Sequence, residues 1–246
     1  MVFSQLEMHA TRVIEEQGCD TGGRKVDISI FEVLGPVMIG PSSSHTAGAA
    51  RLGAAAHAMY EGTFDRVRFG LHGSFAKTYK GHGTDLALLA GVMGLEPDDE
   101  RLSKAFEFAG ERGLVYEFYE KELEHVHENA VQIDLYRGDT KVFEMIGSSI
   151  GGGRILINSL NGCEVAFSAE VPTLIVEHHD IKGVISQITG VLAEAELNVG
   201  TLRLTRESRG EIAWSIIETD EMIPEQVVMQ IEQLAYVIHA QAVQIH

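Results

Sequence analysis

Only two cysteines, Cys19 and Cys163, occur in 246 residues, and they form neither a Cys-x-x-Cys nor a metal-ligand spacing. That scarcity excludes a disulfide framework and a thiolate zinc site. A conventional iron–sulfur cluster takes three or four thiolates, so this chain alone cannot hold one. Basic residues are also few: 19 Lys and Arg stand against 36 Asp and Glu, a formal charge of −17, and there is no Lys/Arg-rich run. Nucleic acids and anionic membranes are bound largely through Lys and Arg, so neither is an expected partner. No apolar run reaches spanning length, and the opening MVFSQLEMHATRVIEEQG lacks the basic region and apolar core of a signal peptide. A cytoplasmic location is expected. Three enzyme templates are missing too. There is no Gly-x-Ser-x-Gly and no Gly-x-x-x-x-Gly-Lys-[Ser/Thr]. Gly81-His82-Gly83 is no dinucleotide fingerprint, because Leu86 stands where the third glycine belongs.

What the chain does have is an ordinary globular composition, 45% hydrophobic and 22% charged, over a length that fits one large or two ordinary domains. Its organising stretch is FEVLGPVMIGPSSSHTAGAARLGAAA, residues 31–56. An apolar strand ends at Gly40-Pro41, a polar loop follows, and from Thr46 the Ala-rich segment reads as a helix with Arg51 and Glu61 toward solvent. Serines and an imidazole thus collect at a helix N-terminus, where unpaired N–H groups and the helix dipole favour an anion. A hydroxyl before a helix is ordinarily only a cap worth about 1 kcal/mol, and one serine would serve for that. Three serines with His45 and Thr46 exceed the need.

In chain order, Phe3–Glu16 is an amphipathic segment followed by linker-like CDTGGRK, so residues 1–28 form a peripheral extension. Arg66–Leu71 alternates as a strand that ends in His72-Gly73-Ser74. KTYKGHG, Lys77–Gly83, reads as a second polar loop, with Thr84 capping the helix TDLALLAGVMG. A helix is expected over Asp98–Gly110, then strands at Leu114–Phe118, Val131–Tyr136, Lys141–Ile146, Arg154–Leu160 and Cys163–Ser168. Between two of these lies SSIGGGR, whose glycines suit either a tight turn or a close approach to another surface. Cys163 shares its parity with Val165 and Phe167 and reads as a core thiol. From Val171 the pattern spells βαββαβ, a split-βαβ unit. The fold class is therefore α+β, with domains at 29–170 and 171–246.

GPVMIGPSSSHTAGAARLG, His72-Gly73-Ser74, KGHGTD (Lys80–Asp85) and SIGGGR (Ser149–Arg154) together resemble the beta chain of iron–sulfur-dependent L-serine dehydratases. The C-terminal unit is similar to a ferredoxin-like ACT domain, the small module that binds amino acids. The resemblance implies that the first domain is a mixed α/β unit like the allosteric substrate-binding domain. It also implies conversion of L-serine to pyruvate and ammonia with a separate alpha chain, whose cysteines hold a [4Fe–4S] cluster. Loss of water from serine needs a base at Cα and an anchor for the carboxylate. His45 is the candidate base or proton donor, since an imidazole titrates near working pH. Ser43, Ser44 and Thr46 are candidate catalytic residues that, with Ser42, would hold the carboxylate at the helix N-terminus, and His72, Ser74 and His82 are further candidate substrate contacts. The rival reading is a non-catalytic amino-acid-binding regulatory module.

For the ACT unit the resemblance implies self-association and an effector, L-serine. Its loop His178–Gly183 offers an imidazole and the Asp180 carboxylate, and Gly183 opens a helix whose amides suit a carboxylate. By resemblance Asn198 reaches the ligand across the dimer interface. The family's Pro-Gly pair is Lys182-Gly183 here, which leaves the loop less rigid.

Overall fold

An alanine-rich helix can approach other backbones closely, and the first domain is built on that property. The computed structural model describes residues 43–95, 99–206 and 208–245; the Phe3–Glu16 segment, Cys19, the apolar strand before Gly40 and Ser42 lie outside the described residues. Helix α1 (Ser43–Met59) is followed by β1 (Arg66–Leu71), α2 (Gly73–His82), α3 (Thr84–Val92), a 3-10 turn (Glu100–Lys104), α4 (Ala105–Glu111) and β2 (Val115–Glu120). Four strands come next: β3 (Ala130–Arg137), β4 (Thr140–Gly151), β5 (Arg154–Leu160) and β6 (Cys163–Phe167). They form one sheet in the order β2-β1-β3-β4-β5-β6. Only β1 and β2 run parallel. A parallel pair needs a crossover, and α2, α3 and α4 supply it.

Helix α1 lies against both α3 and the sheet. A Cβ built on Gly53 would stand 2.4 Å from the Leu88 carbonyl oxygen, and one on Gly91 would stand 2.1 Å from that of Ala50. The two helices therefore touch backbone to backbone, as only glycine permits. Around that contact Leu52, Leu88, Phe69, Ile133, Met145 and Ile157 are all fully buried.

Four local expectations are corrected. The first helix begins at Ser43, not Thr46, because the N–H groups of a first turn have no intrahelical acceptor and polar residues there cost little. Lys77–Gly83 is not a loop but the end of α2. Phe75, fully buried, anchors that helix, and Gly83 alone takes the left-handed conformation that stops it. Thr84 does not cap α3: the cap position is Gly83, and the Thr84 hydroxyl is buried without a hydrogen-bond partner. Strand β4 continues through Ser148 and Ser149, both fully buried, to Gly151.

The second sheet holds β7 (Thr173–His179), β8 (Val199–Arg206), β9 (Ile212–Thr219) and β10 (Val237–Val243), in the order β10-β7-β9-β8. All its pairings are antiparallel. Helices α5 (Val184–Glu194) and α6 (Glu225–Glu232) cover one face, where Leu174, Val176 and Ile217 meet Val184, Ile188 and Ile231. On the other face Ile175, Trp214, Ile216 and Val243 join the core of the first domain. Burial on both sides explains why Leu174, Ile175 and Val176 of β7 are apolar in succession and do not alternate with polar residues. Gln241 Nε2 donates to the Met59 carbonyl at 3.1 Å, and the Ile245 amide donates to that of Ala169 at 2.7 Å.

Candidate active site

The first turn of α1 brings His45 and Thr46 against α2. On α2, Ser74, Thr78 and His82 recur every fourth residue and so share one face. His45 Nε2 lies 3.1 Å from Ser74 Oγ. Its ring stands edge-on to that of His82, centroids 4.9 Å apart at 86°, and 5.6 Å from the ring of Phe75. Thr46 Oγ1 donates to the His82 carbonyl at 3.2 Å. Four of the residues singled out from the sequence therefore converge: His45, Thr46, Ser74 and His82. Ser43 and Ser44 are placed by their backbone in the same first turn.

The His72-Gly73-Ser74 run delivers the hydroxyl. His72 is pinned on the far side, its amide donating to the Ala130 carbonyl and its Nδ1 accepting from the Leu123 amide at 3.2 Å. Gly73 has φ +55°, and a Cβ there would stand 2.5 Å from the Glu128 carbonyl oxygen. The Ser74 amide then donates to that same carbonyl at 2.7 Å. His72 thus acts on the backbone, and Ser74 faces His45.

The triple glycine makes the β4–β5 turn. Gly151 pairs with Arg154, and Gly152 and Gly153 have φ of +60° and +77°, the handedness a two-residue hairpin turn requires. Arg51 Nη1 donates to the Gly153 carbonyl at 3.1 Å, so this half-buried guanidinium faces the hairpin and not solvent. A Cβ on Gly48 would fall 2.0 Å from Ser149 Oγ, which shows how closely α1 lies on β4 beside its first turn. Sequence reasoning missed Arg51 and Phe75 as parts of this neighbourhood. The Arg51 spacing from His45 was visible; its hairpin acceptor, about a hundred residues on, was not.

Burial, and after it the charge of His82, lowers the His45 pKa below the ordinary imidazole value. Both effects favour the neutral imidazole, the form that can accept a proton. His82 Nδ1 is buried with no hydrogen-bond partner, and a buried polar atom left so costs about 1–3 kcal/mol unless a ligand or water answers it. Nearby, burial raises the pKa of Asp85, against the stabilising amide of Leu86.

The second candidate region is differently built. His178 is 1% exposed; its Nδ1 lies 2.9 Å from the His179 carbonyl oxygen and its Nε2 2.9 Å from Ser215 Oγ. The Asp180 carboxylate accepts from Arg206 Nη1 at 2.5 Å and the Gly210 amide at 2.9 Å. These contacts, the amide first, hold its pKa below the usual carboxylate range. Gly183, φ +95°, is the N-cap of α5. Asn198 lies past the other end of that helix, roughly 16 Å away at 1.5 Å per residue, with Nδ2 donating to Asp220 at 2.6 Å.

No helix among the described residues is long and apolar enough to cross a membrane. Comparison with known proteins finds two family models along the chain: the serine dehydratase beta chain over residues 29–112 and the ACT domain over residues 172–236. The chain is 40% identical over 211 residues to the probable L-serine dehydratase beta chain of Bacillus subtilis, covering 85% of this chain and 95% of that one. It is 41% identical over 200 residues to the L-serine dehydratase beta chain of Peptoniphilus asaccharolyticus, covering 81% and 90%. L-serine dehydratase 1 of Escherichia coli is 34% identical over 171 residues, which span 59% of this chain but only 37% of that protein. With two beta chains matched almost end to end and the βαββαβ sheet in place, the chain belongs to the L-serine dehydratase beta-chain family and carries a C-terminal ACT domain.

Proposed function

We propose that this subunit works with an alpha chain bearing a [4Fe–4S] cluster as an L-serine ammonia-lyase, turning L-serine into pyruvate and ammonia. The relatives' designation as beta chains supports a separate partner. So does the longer E. coli relative, of which 63% lies outside the match. Among the described residues no three His, Cys, Asp or Glu side chains gather as a metal-holding group, and Cys163 is buried in β6. These residues do not fit a cluster's ligand set, so its ligands are assigned to the alpha chain and no step below runs through it.

The observation that carries the reading is the neutral, Ser74-bonded imidazole of His45 at the start of α1. In the proposed reaction the His45 imidazole takes the Cα proton of serine, and Ser74, bonded at Nε2, fixes the orientation of the ring. The α1 amides at Ser43 and Ser44 hold the substrate carboxylate, with Thr46 beside them in the same turn. His82, with Nδ1 unanswered, offers the remaining polar contact to substrate. His72 shapes the site from behind through Leu123.

The ACT domain is read as a self-associating L-serine sensor. Asp180, Gly183 and Asn198 contribute from two copies, because one chain holds them at opposite ends of α5. His178, with both ring nitrogens engaged, positions the loop from inside.

Anaerobic co-expression with the alpha chain tests the catalytic reading. The loaded complex should form pyruvate from L-serine, whereas this chain purified alone should be colourless and inactive. A loaded complex that binds L-serine without releasing pyruvate would favour the regulatory alternative. Calorimetric titration of the full chain with L-serine tests the sensor.

A further inference from the structure

Between β6 and the second sheet lies a cavity of about 230 Å³, lined by Asn161, Cys163, Glu177, Glu211, Ile212 and Trp214. We propose that this cavity is a binding site for a small organic cation, an amine or guanidinium on a short apolar stem. The site stands apart from His45, and the proposal does not rest on the activity given above.

Glu177 projects from β7, in register with Trp214 on β9 and His239 on β10. It is half-buried, and among the described residues no hydrogen bond or ion pair reaches its carboxylate. Among the described residues His239 is the one basic side chain that bears on it, and that ring is held by Glu232 at 3.0 Å. Arg206, the guanidinium near this end of the sheet, is committed to Asp180. Burial accordingly raises the Glu177 pKa. A carboxylate desolvated without a counter-charge costs free energy that a bound cation would recover.

The rest of the lining fits the same ligand. Glu211 adds a second carboxylate at the exposed rim. Trp214, 8% exposed, offers an indole, the side chain whose face attracts cations best. Ile212 and the buried Cys163 give an apolar floor for a stem. Asn161 Oδ1 is taken by the Glu144 amide at 3.0 Å, leaving the two carboxylates as the unanswered polar groups. The volume is several times the roughly 30 Å³ share of one water molecule, so it suits a molecule and not a bare ion. Two carboxylates with no adjacent free cation disfavour a ligand that carries its own carboxylate.

The cavity sits directly behind the sensor loop. Glu177 precedes the buried His178, and the Glu211 carbonyl accepts from the Asp180 amide at 2.7 Å. A cation bound at the seam is therefore one residue from the loop on the opposite face of the sheet.

Trp214 is the only tryptophan in the chain, so its fluorescence reports on this cavity alone. Titrating the full chain with agmatine should give a saturable change, whereas butyrate, or sodium chloride at equal ionic strength, should not. Glu177→Gln and Glu211→Gln should each weaken agmatine by at least about tenfold, the usual effect of losing a charged hydrogen bond. A response to agmatine that never saturates, or equal affinity in wild type and Glu211→Gln, would overturn the site. Glu211 is on the rim, so that variant decides the matter even if Glu177→Gln fails to fold.

Discussion

Two histidines among the described residues are each bonded to a serine hydroxyl, one read as a proposed base and the other as a structural post. His45 meets Ser74 at 3.1 Å and His178 meets Ser215 at 2.9 Å. The contacts are nearly the same; the surroundings are not. His178 is sealed at 1% exposure and spends its second nitrogen on the His179 carbonyl, so nothing is left over for a ligand. His45 is half-buried at a helix start and stands against a second imidazole whose Nδ1 has no partner. A His–Ser pair is therefore no sign of chemistry by itself. Unfinished hydrogen bonding beside an accessible ring is the better mark.

Substitution at each histidine sharpens the contrast. His45→Ala should lower pyruvate formation by the loaded complex about 10²–10⁴-fold with chemical denaturation of the subunit little changed, the span typical of a lost general base. Retention of more than about a tenth of wild-type activity would remove the base assignment. His178→Ala should do the reverse, costing about 1–3 kcal/mol in urea unfolding because Ser215 is left buried and unanswered. Its turnover at saturating L-serine should stay close to wild type. Adding Ser215→Ala should restore part of that stability, and purely additive losses would show that the pair is not coupled.

Smaller effects test the framework of the site. Arg51→Met should cost about 1 kcal/mol, the worth of its bond to the Gly153 carbonyl, and should raise KM more than it lowers kcat. The acid limb of the pH–rate profile should have its midpoint below the ordinary imidazole value of 6.5, since burial and His82 both depress His45. Rate is lost as pH falls through that midpoint, because the base is then protonated. His82→Gln should move the midpoint upward by removing the weaker of the two causes.

Much of the fold could be read from the sequence where a single periodicity governed. The alternation over Arg154–Leu160 marks β5 to the residue, and βαββαβ follows from strand and helix patterns in turn. Two of the misreadings share one physical cause, tertiary burial overriding local composition. Ser148 and Ser149 look like loop but lie buried in β4. KTYKGH looks like loop because of its glycine and charges, yet Phe75 anchors it as helix and Gly81 takes no left-handed turn. At the site, the residue types were legible from the hydroxyl and imidazole excess. That Ser74 and His82 face His45 while His72 holds Leu123 depends on the pitch of α2, which the loop reading concealed.

Strands β7 and β9 complete two hydrophobic cores at once, one under α5 and α6 and one shared with the first domain. Cutting the chain near Val171 would bare Ile175, Trp214, Ile216 and Val243 together, so the ACT segment is expected to aggregate when expressed by itself. In the intact subunit the amides of these two strands should exchange with deuterium only through global unfolding, while those of the edge strand β8 exchange through local opening. Among the described residues the ACT domain is therefore joined to the first domain by a shared core and not by a free linker. It meets the first domain through packed side chains, and any strain in β7 is felt on both sides of the sheet.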